Sequence, residues 1–170
     1  MNASDFALLI LQLGVGLTFA AHGAQKMFGW WGGPGLAGWE GAMAHMGFHP
    51  ARFFALVSAG VELFGGLMLA AGFLTPIAAA ALVAQTVVII GQVHWANGFF
   101  NSKSGFEFPL VLGLGAAAVG LGGPSAVSID SALGLAIEPA SAVVMLGLGL
   151  LAGLVTLAIP RVAARTHATA

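Results

Sequence analysis

The sequence predicts an all-α integral membrane protein, a helical bundle. Two observations carry that prediction: five long apolar runs separated by short breakers, and the near absence of charge. Charged residues make up 6% of the 170 positions, and the mean hydropathy is +0.98. Water-soluble domains carry about 25% charged residues, so this chain is built for lipid. A transmembrane barrel would need strands of alternating polarity. These runs are apolar on every face, which leaves helices. The length suits one compact unit.

The first run, Phe6–Gln25, has only Asp5 ahead of it and no basic residue. It is also too long for the apolar core of a signal peptide, so it is expected to be retained. Phe53–Gly72 and Pro76–Trp95 follow as a pair joined by the breaker Gly72-Phe-Leu-Thr-Pro76. Phe106–Gly122 ends at Gly122-Gly-Pro124, and Ala140–Ile159 is the fifth. Each is read as a span, since crossing a bilayer takes about 20 apolar residues. Between the first two lies Met27 to Arg52, where Leu36, Trp39, Met43 and Met46 recur at helical spacing with Glu40 and His45 off that face. That spacing predicts a short helix lying in the interface. Trp30, Trp31 and Trp39 read either as an aromatic belt at headgroup level or as a lid over a ligand site.

Basic residues set the expected orientation. With five spans, Lys26, Arg52, Lys103, Arg161 and Arg165 fall on one side, whereas the other carries Asp5, Asp130 and Glu138 and no Lys or Arg. Basic loops stay inside, so the N-terminus is expected outside and the C-terminus in the cytoplasm. If Lys26 serves a site it should not be counted, and the split becomes four to none. Small residues crowd the spans, among them Gly16, Gly65, Gly66, Gly149 and Gly153. Such residues let helices approach closely in lipid. Gly149 and Gly153 form either a dimer seam, which leaves an oligomer open, or a packing seam within the chain. The second is the plainer reading.

The polar residues inside the runs point to a site. Glu62 lies nine residues into the second run, or about 13–14 Å, near the middle of a core about 30 Å thick. An isolated carboxylate there is costly in its charged form and defaults to function. The plain alternative is a helix-to-helix hydrogen bond to Gln12 or Gln85. His22 and Lys26, at i and i+4, share one helix face. With His94 and Glu107 they fall toward the basic side at the ends of three spans, and together with Glu62 they are expected to line one ligand cavity. Helical rise puts His22 roughly 9 Å shallower than Glu62, so water or a ligand would have to bridge them. His94 reads equally well as an interfacial histidine beside Trp95.

Several chemistries are set aside. A net charge of −1 provides no basic surface for nucleic acid. With no cysteine, the chain has no thiolate metal site or disulfide relay of its own, and no metal is expected. Haem ligation by His22 and His94 has no support beyond the two imidazoles, so haem is not expected. No nucleotide-binding or nucleophile motif appears.

Three stretches carry a resemblance: GLTFAAHGAQKMFG from Gly16, MGFHPARFFALVSAGVELFGGLMLAAGFLTPIAAAAL from Met46 and GPSAVSID from Gly123. In this order they resemble the DoxX family of small membrane proteins. The resemblance implies a four-helix bundle over residues 1–131 in the inner (plasma) membrane, with His22, Lys26 and Glu62 at the family's recurring polar positions. Residues 132–170 then supply a fifth membrane helix and a short basic tail. Relatives include the membrane subunit of a thiosulfate:quinone oxidoreductase and partners of thiol-stress and superoxide-detoxifying enzymes. Four-span members hold both termini inside, which puts the first loop outside and conflicts with the charge count.

Two functional classes follow. In the first, the chain is the membrane subunit of a redox enzyme. It binds a quinone head among His22, Lys26 and Glu62 and takes electrons from a partner protein. In the second, it is a non-catalytic scaffold that docks partners through the aromatic loop. Whether the chain is itself an enzyme is left open by the sequence.

Overall fold

The first helix starts because Asn2 and Asp5 satisfy each other's backbone donors: Asn2 Oδ1 accepts from Asp5 N at 2.9 Å and Asp5 Oδ2 from Asn2 N at 2.8 Å. It ends at Gly29, whose φ of 74° suits the left-handed cap. In the computed structural model, which describes residues 2–135 and 138–168, helices make up nearly all of the regular structure. They are α1 (Ala3–Phe28), α2 (Gly35–His45), α3 (Ala51–Ala71), α4 (Thr75–Asn97), α5 (Glu107–Gly122), α6 (Ile129–Ala132) and α7 (Pro139–Ala168).

The packing is set by small residues. Gly16 and Gly66 bring α1 and α3 into backbone contact: a methyl on Gly16 would stand 2.5 Å from Ala70 N, and one on Gly66 2.5 Å from Ala20 N. Gly23 packs against Leu63 in the same way. These pairs make α1 and α3 antiparallel. Gly113 meets Thr86 and Gly120 meets Ala79, so α5 runs antiparallel to α4. Gly149 meets Ala80 and Gly153 meets Ala84, so α7 runs parallel to α4. The Gly149–Gly153 seam is therefore filled within the chain. Phe19, Leu69, Leu82 and Val119 form the centre of the apolar core.

Four of these helices have the length and composition of a membrane span: Ala3–Phe28, Ala51–Ala71, Thr75–Asn97 and Pro139–Pro160. The predicted fourth span falls short. Helix α5 has 16 residues, about 24 Å, against a hydrocarbon core of about 30 Å. Gly123 stops it at one end, and at the other the chain folds back through Phe106 N to Gly98 O and Glu107 N to Phe99 O. It still runs beside α1 and α4 along the bundle, so the chain makes five passes and reverses direction four times.

The two ends of the bundle differ. One gathers the end of α1 with Lys26, the start of α3 with Arg52, the α4–α5 loop with Lys103 and the last turns of α7 with Arg161 and Arg165. At the other, buried Asp130 clamps the start of α4. Its carboxylate accepts from Leu74 N at 2.8 Å, Thr75 N at 2.9 Å and Thr75 Oγ1 at 2.7 Å. Gln12 lies at this end too, bonded to Ala70 O at 3.0 Å and Ser125 N at 3.2 Å. It is thus no partner of Glu62, because it meets α3 at Ala70, eight residues further along, about 12 Å.

Helix α2 lies across the basic end. The short helix that the spacing predicted is present, and its face of Leu36, Trp39, Met43 and Met46 packs on Phe48, Phe54, Ala55, Val88 and Ile159 of the protein itself. Glu40 points outward to Arg52 at 3.5 Å, an exposed pair that contributes little.

Candidate site between the first four helices

Helix geometry alone drives Lys26 and Glu62 together. Every Cα–Cβ bond in a helix tilts toward the N-terminus. Lys26, near the end of α1, therefore leans back into the membrane. Glu62, on antiparallel α3, leans toward the same end from the middle. The Gly23–Leu63 contact brings the two backbones close enough, and Lys26 Nζ pairs directly with Glu62 Oε1. That contact also puts His22, one residue before Gly23, nearly level with Glu62. The depth offset expected from the sequence is absent because α3 begins beyond the end of α1.

Glu62 is 1% exposed and Lys26 14%. Oε1 also accepts from Gln85 Nε2 at 3.2 Å, and the same Nε2 donates to Ser58 Oγ at 2.6 Å. Gln85, one of the two partners considered from the sequence, is the one that bonds. Above the pair, Lys26 Nζ sits 4.4 Å from the centroid of the Trp39 ring, a cation–π contact. Among the described residues, two buried side-chain polar atoms have no partner: Glu62 Oε2 and Trp39 Nε1. Both residues line the same cavity.

That cavity has a volume of about 210 Å³. His22, Lys26, Trp39, Glu62, Thr86 and His94 supply its polar wall, and Phe19, Phe108 and Leu112 part of its apolar one. His22 meets Phe108 edge-on with ring centroids 5.7 Å apart. His94 Nδ1 lies 2.6 Å from Ser104 O. A carbonyl can only accept, so Nδ1 carries the proton and a neutral ring keeps its lone pair on Nε2. Two turns of π-helix shape the site, Val61–Gly65 around Glu62 and Ile90–His94 ending at His94. Such wide turns recur at functional sites.

Of the five residues singled out from the sequence, four line the cavity and Glu107 does not. Glu107 opens α5, and its Oε2 accepts from Asn101 N at 2.9 Å, which ties down the α4–α5 loop. Trp39 faces the cavity, while Trp30 and Trp31 are exposed at the end of the bundle, as a belt would be. The sequence reading passed over Thr86 and Phe108. Thr86 carried a signal, since Gln85-Thr86 is the one polar pair within an otherwise apolar stretch from Pro76 to Ile90. Phe108 carried none.

Residues 7–95 match the family model of DoxX. The chain belongs to the DoxX family. It is a multi-pass membrane protein in contact with the bilayer. The match contains His22, Lys26, Trp39, Glu62, Gln85 and His94 and ends before α5, so the polar wall of the cavity lies within the DoxX portion of the chain. Neither a curated protein nor a solved structure shows significant similarity to this DoxX chain.

Proposed function

We propose that this protein is the membrane subunit of a redox enzyme and binds a quinone head group in the cavity around Lys26 and Glu62. The observation that carries this reading is Glu62 Oε2, a buried carboxylate oxygen without a partner, on a residue that lines a cavity shared with Lys26 and two imidazoles. A buried polar atom without a partner costs about 1–3 kcal/mol, and a ligand that answers it recovers that cost.

The donor set suits a quinone. Carbonyl oxygens need donors, which Lys26 Nζ and the unpartnered Trp39 Nε1 supply. The hydroxyls of the reduced form need acceptors, which Glu62 Oε2 and His94 Nε2 supply. The volume is below the roughly 300–1,000 Å³ of pockets that enclose a whole drug-sized ligand, so it suits a head group whose tail leaves between helices. When bound, the quinone takes up two electrons and two protons. Electrons come from a partner oxidoreductase, since the chain has no cysteine for a thiol relay. Glu62 and the imidazoles of His22 and His94 would exchange protons with the head, while Lys26 balances charge beneath the Trp39 ring.

Purification in mild detergent followed by solvent extraction and mass spectrometry tests this. Wild type is expected to carry a stoichiometric quinone. Protein that carries none, yet crosslinks to a stable partner, would replace this reading with that of a docking scaffold.

A further inference from the structure

Two imidazoles line the cavity, and the protein holds them differently. His94 is tied at Nδ1 to Ser104 O at 2.6 Å, which leaves Nε2 as its one exchangeable position. His22 is half-buried and, among the described residues, hydrogen-bonds to none; its ring rests edge-on against Phe108. Both of its nitrogens are therefore open to exchange. His22 also borders a second space, a recess of about 410 Å³ on α1 lined by Leu17, Thr18, Ala21, His22, Gln25 and Trp31. Thr18, His22 and Gln25 recur at i, i+4 and i+7, so they share one face of the helix. From Leu17 to Gln25 the recess follows α1 for eight residues, about 12 Å, toward the end of the bundle where Trp31 is exposed. That is the end that gathers Arg52 and Lys103. Of the residues lining the recess, His22 is the one that also lines the cavity, and the one that titrates.

We propose that His22 is a proton relay, which carries protons from the basic end of the bundle, by way of the recess, to the quinone head in the cavity. The inference rests on the quinone reading above and adds the side from which the protons come. Reduction takes two electrons, from the partner oxidoreductase, and two protons. For each proton, one ring nitrogen of His22 accepts from water in the recess, giving an imidazolium. The other nitrogen releases its proton to the head, leaving a neutral ring in the opposite tautomer. Rotation about the Cβ–Cγ bond, unopposed by a hydrogen bond, returns the ring to its start. The wall need not open, because the ring itself takes the proton across it. His94 cannot serve in this way, since the Ser104 carbonyl holds its Nδ1 proton; it gains and loses a proton at Nε2 alone. Lys26, Glu62 and His94 are the other titratable groups of the cavity, and the recess adds none. A proton path also gives a reason for the polar face of α1, which lipid disfavours.

His22→Gln keeps a hydrogen-bonding side chain but cannot carry a proton. Ala21→Phe fills the recess from a position that does not line the cavity. Wild type and both variants are purified in nanodiscs, and quinone content is measured by extraction. Dithionite then supplies the electrons in place of the partner, and the absorbance of the bound quinone gives its rate of reduction. His22 lies outside the donors and acceptors that hold the head, so both variants are expected to carry the wild-type amount of quinone. Both should reduce it about a hundredfold more slowly, the lower end of what a positioned acid contributes. In His22→Ala, which leaves room for it, added imidazole should restore the rate. A wild-type rate in His22→Gln or in Ala21→Phe overturns the relay. So does a slow His22→Ala that imidazole leaves slow, or loss of quinone from His22→Gln, which makes His22 a ligand contact instead. Wild type without bound quinone overturns the head-group reading and the relay together.

Discussion

Lys26 and Glu62, 36 residues apart in sequence, pair across the α1–α3 contact with the carboxylate 1% exposed. The pair is asymmetric: Oε1 accepts from both Lys26 and Gln85, and Oε2 from nothing. A charge pair whose only purpose was to join two helices would be expected to use both oxygens. This one leaves half of its capacity unpartnered, at a residue that lines the cavity.

Changing one partner at a time separates structure from function. Glu62→Gln keeps an oxygen for Lys26 and should express and fold normally while losing bound quinone and redox coupling. Glu62→Leu strands the ammonium and should cost about 3–5 kcal/mol, most of which Lys26→Met in the same protein recovers. Thermal unfolding in detergent and quinone content are the two measurements. A fully active Glu62→Gln protein would overturn the site assignment.

Trp39 is expected to act through its indole nitrogen as well as its face. Trp39→Phe retains an aromatic ring over Lys26 and the packing on Met43 but removes the Nε1 donor. Stability should change little, and quinone affinity should fall by up to about tenfold, the worth of one net hydrogen bond. Titration of the purified variant checks this, and unchanged affinity would show that Nε1 makes no ligand contact.

Orientation follows from charge. Lys26 is taken up by Glu62, so it no longer counts toward topology, and Arg52, Lys103, Arg161 and Arg165 decide it. Reporter fusions are expected to place the C-terminus in the cytoplasm and the N-terminus outside. A C-terminal reporter active only outside would overturn the orientation.

Asp130 should matter for stability and not for binding. Asp130→Ala leaves the part-buried Leu74 amide and the buried Thr75 amide without their acceptor, at about 1–3 kcal/mol. The variant should melt earlier than wild type and carry the same amount of quinone, because this clamp lies at the opposite end of the bundle from Lys26.

Much of the fold was legible in the sequence because membrane helices announce themselves locally. Apolar length marked α1, α3, α4 and the membrane part of α7, and the spacing of Leu36, Trp39, Met43 and Met46 marked the buried face of α2. Where the reading and the structure differ in length, the cause was local as well. Phe106–Gly122 is apolar enough for a span and still passes along the bundle, but Gly123 and the fold-back at Gly98 trim its helix to 16 residues.

Within the site, the sequence by itself determined which side chains are too polar for lipid, and so that His22, Lys26, Glu62 and His94 required an explanation. It did not determine which of them meet. Glu107, equally polar, turned away to hold a loop. Gln12, equally deep, bonded at the far end. Only the tertiary structure decided these pairings, because they depend on how far one helix slides along another. That register is set where Gly16, Gly23 and Gly66 let α1 and α3 touch, a contact between backbones that no spacing along a single strand of sequence records.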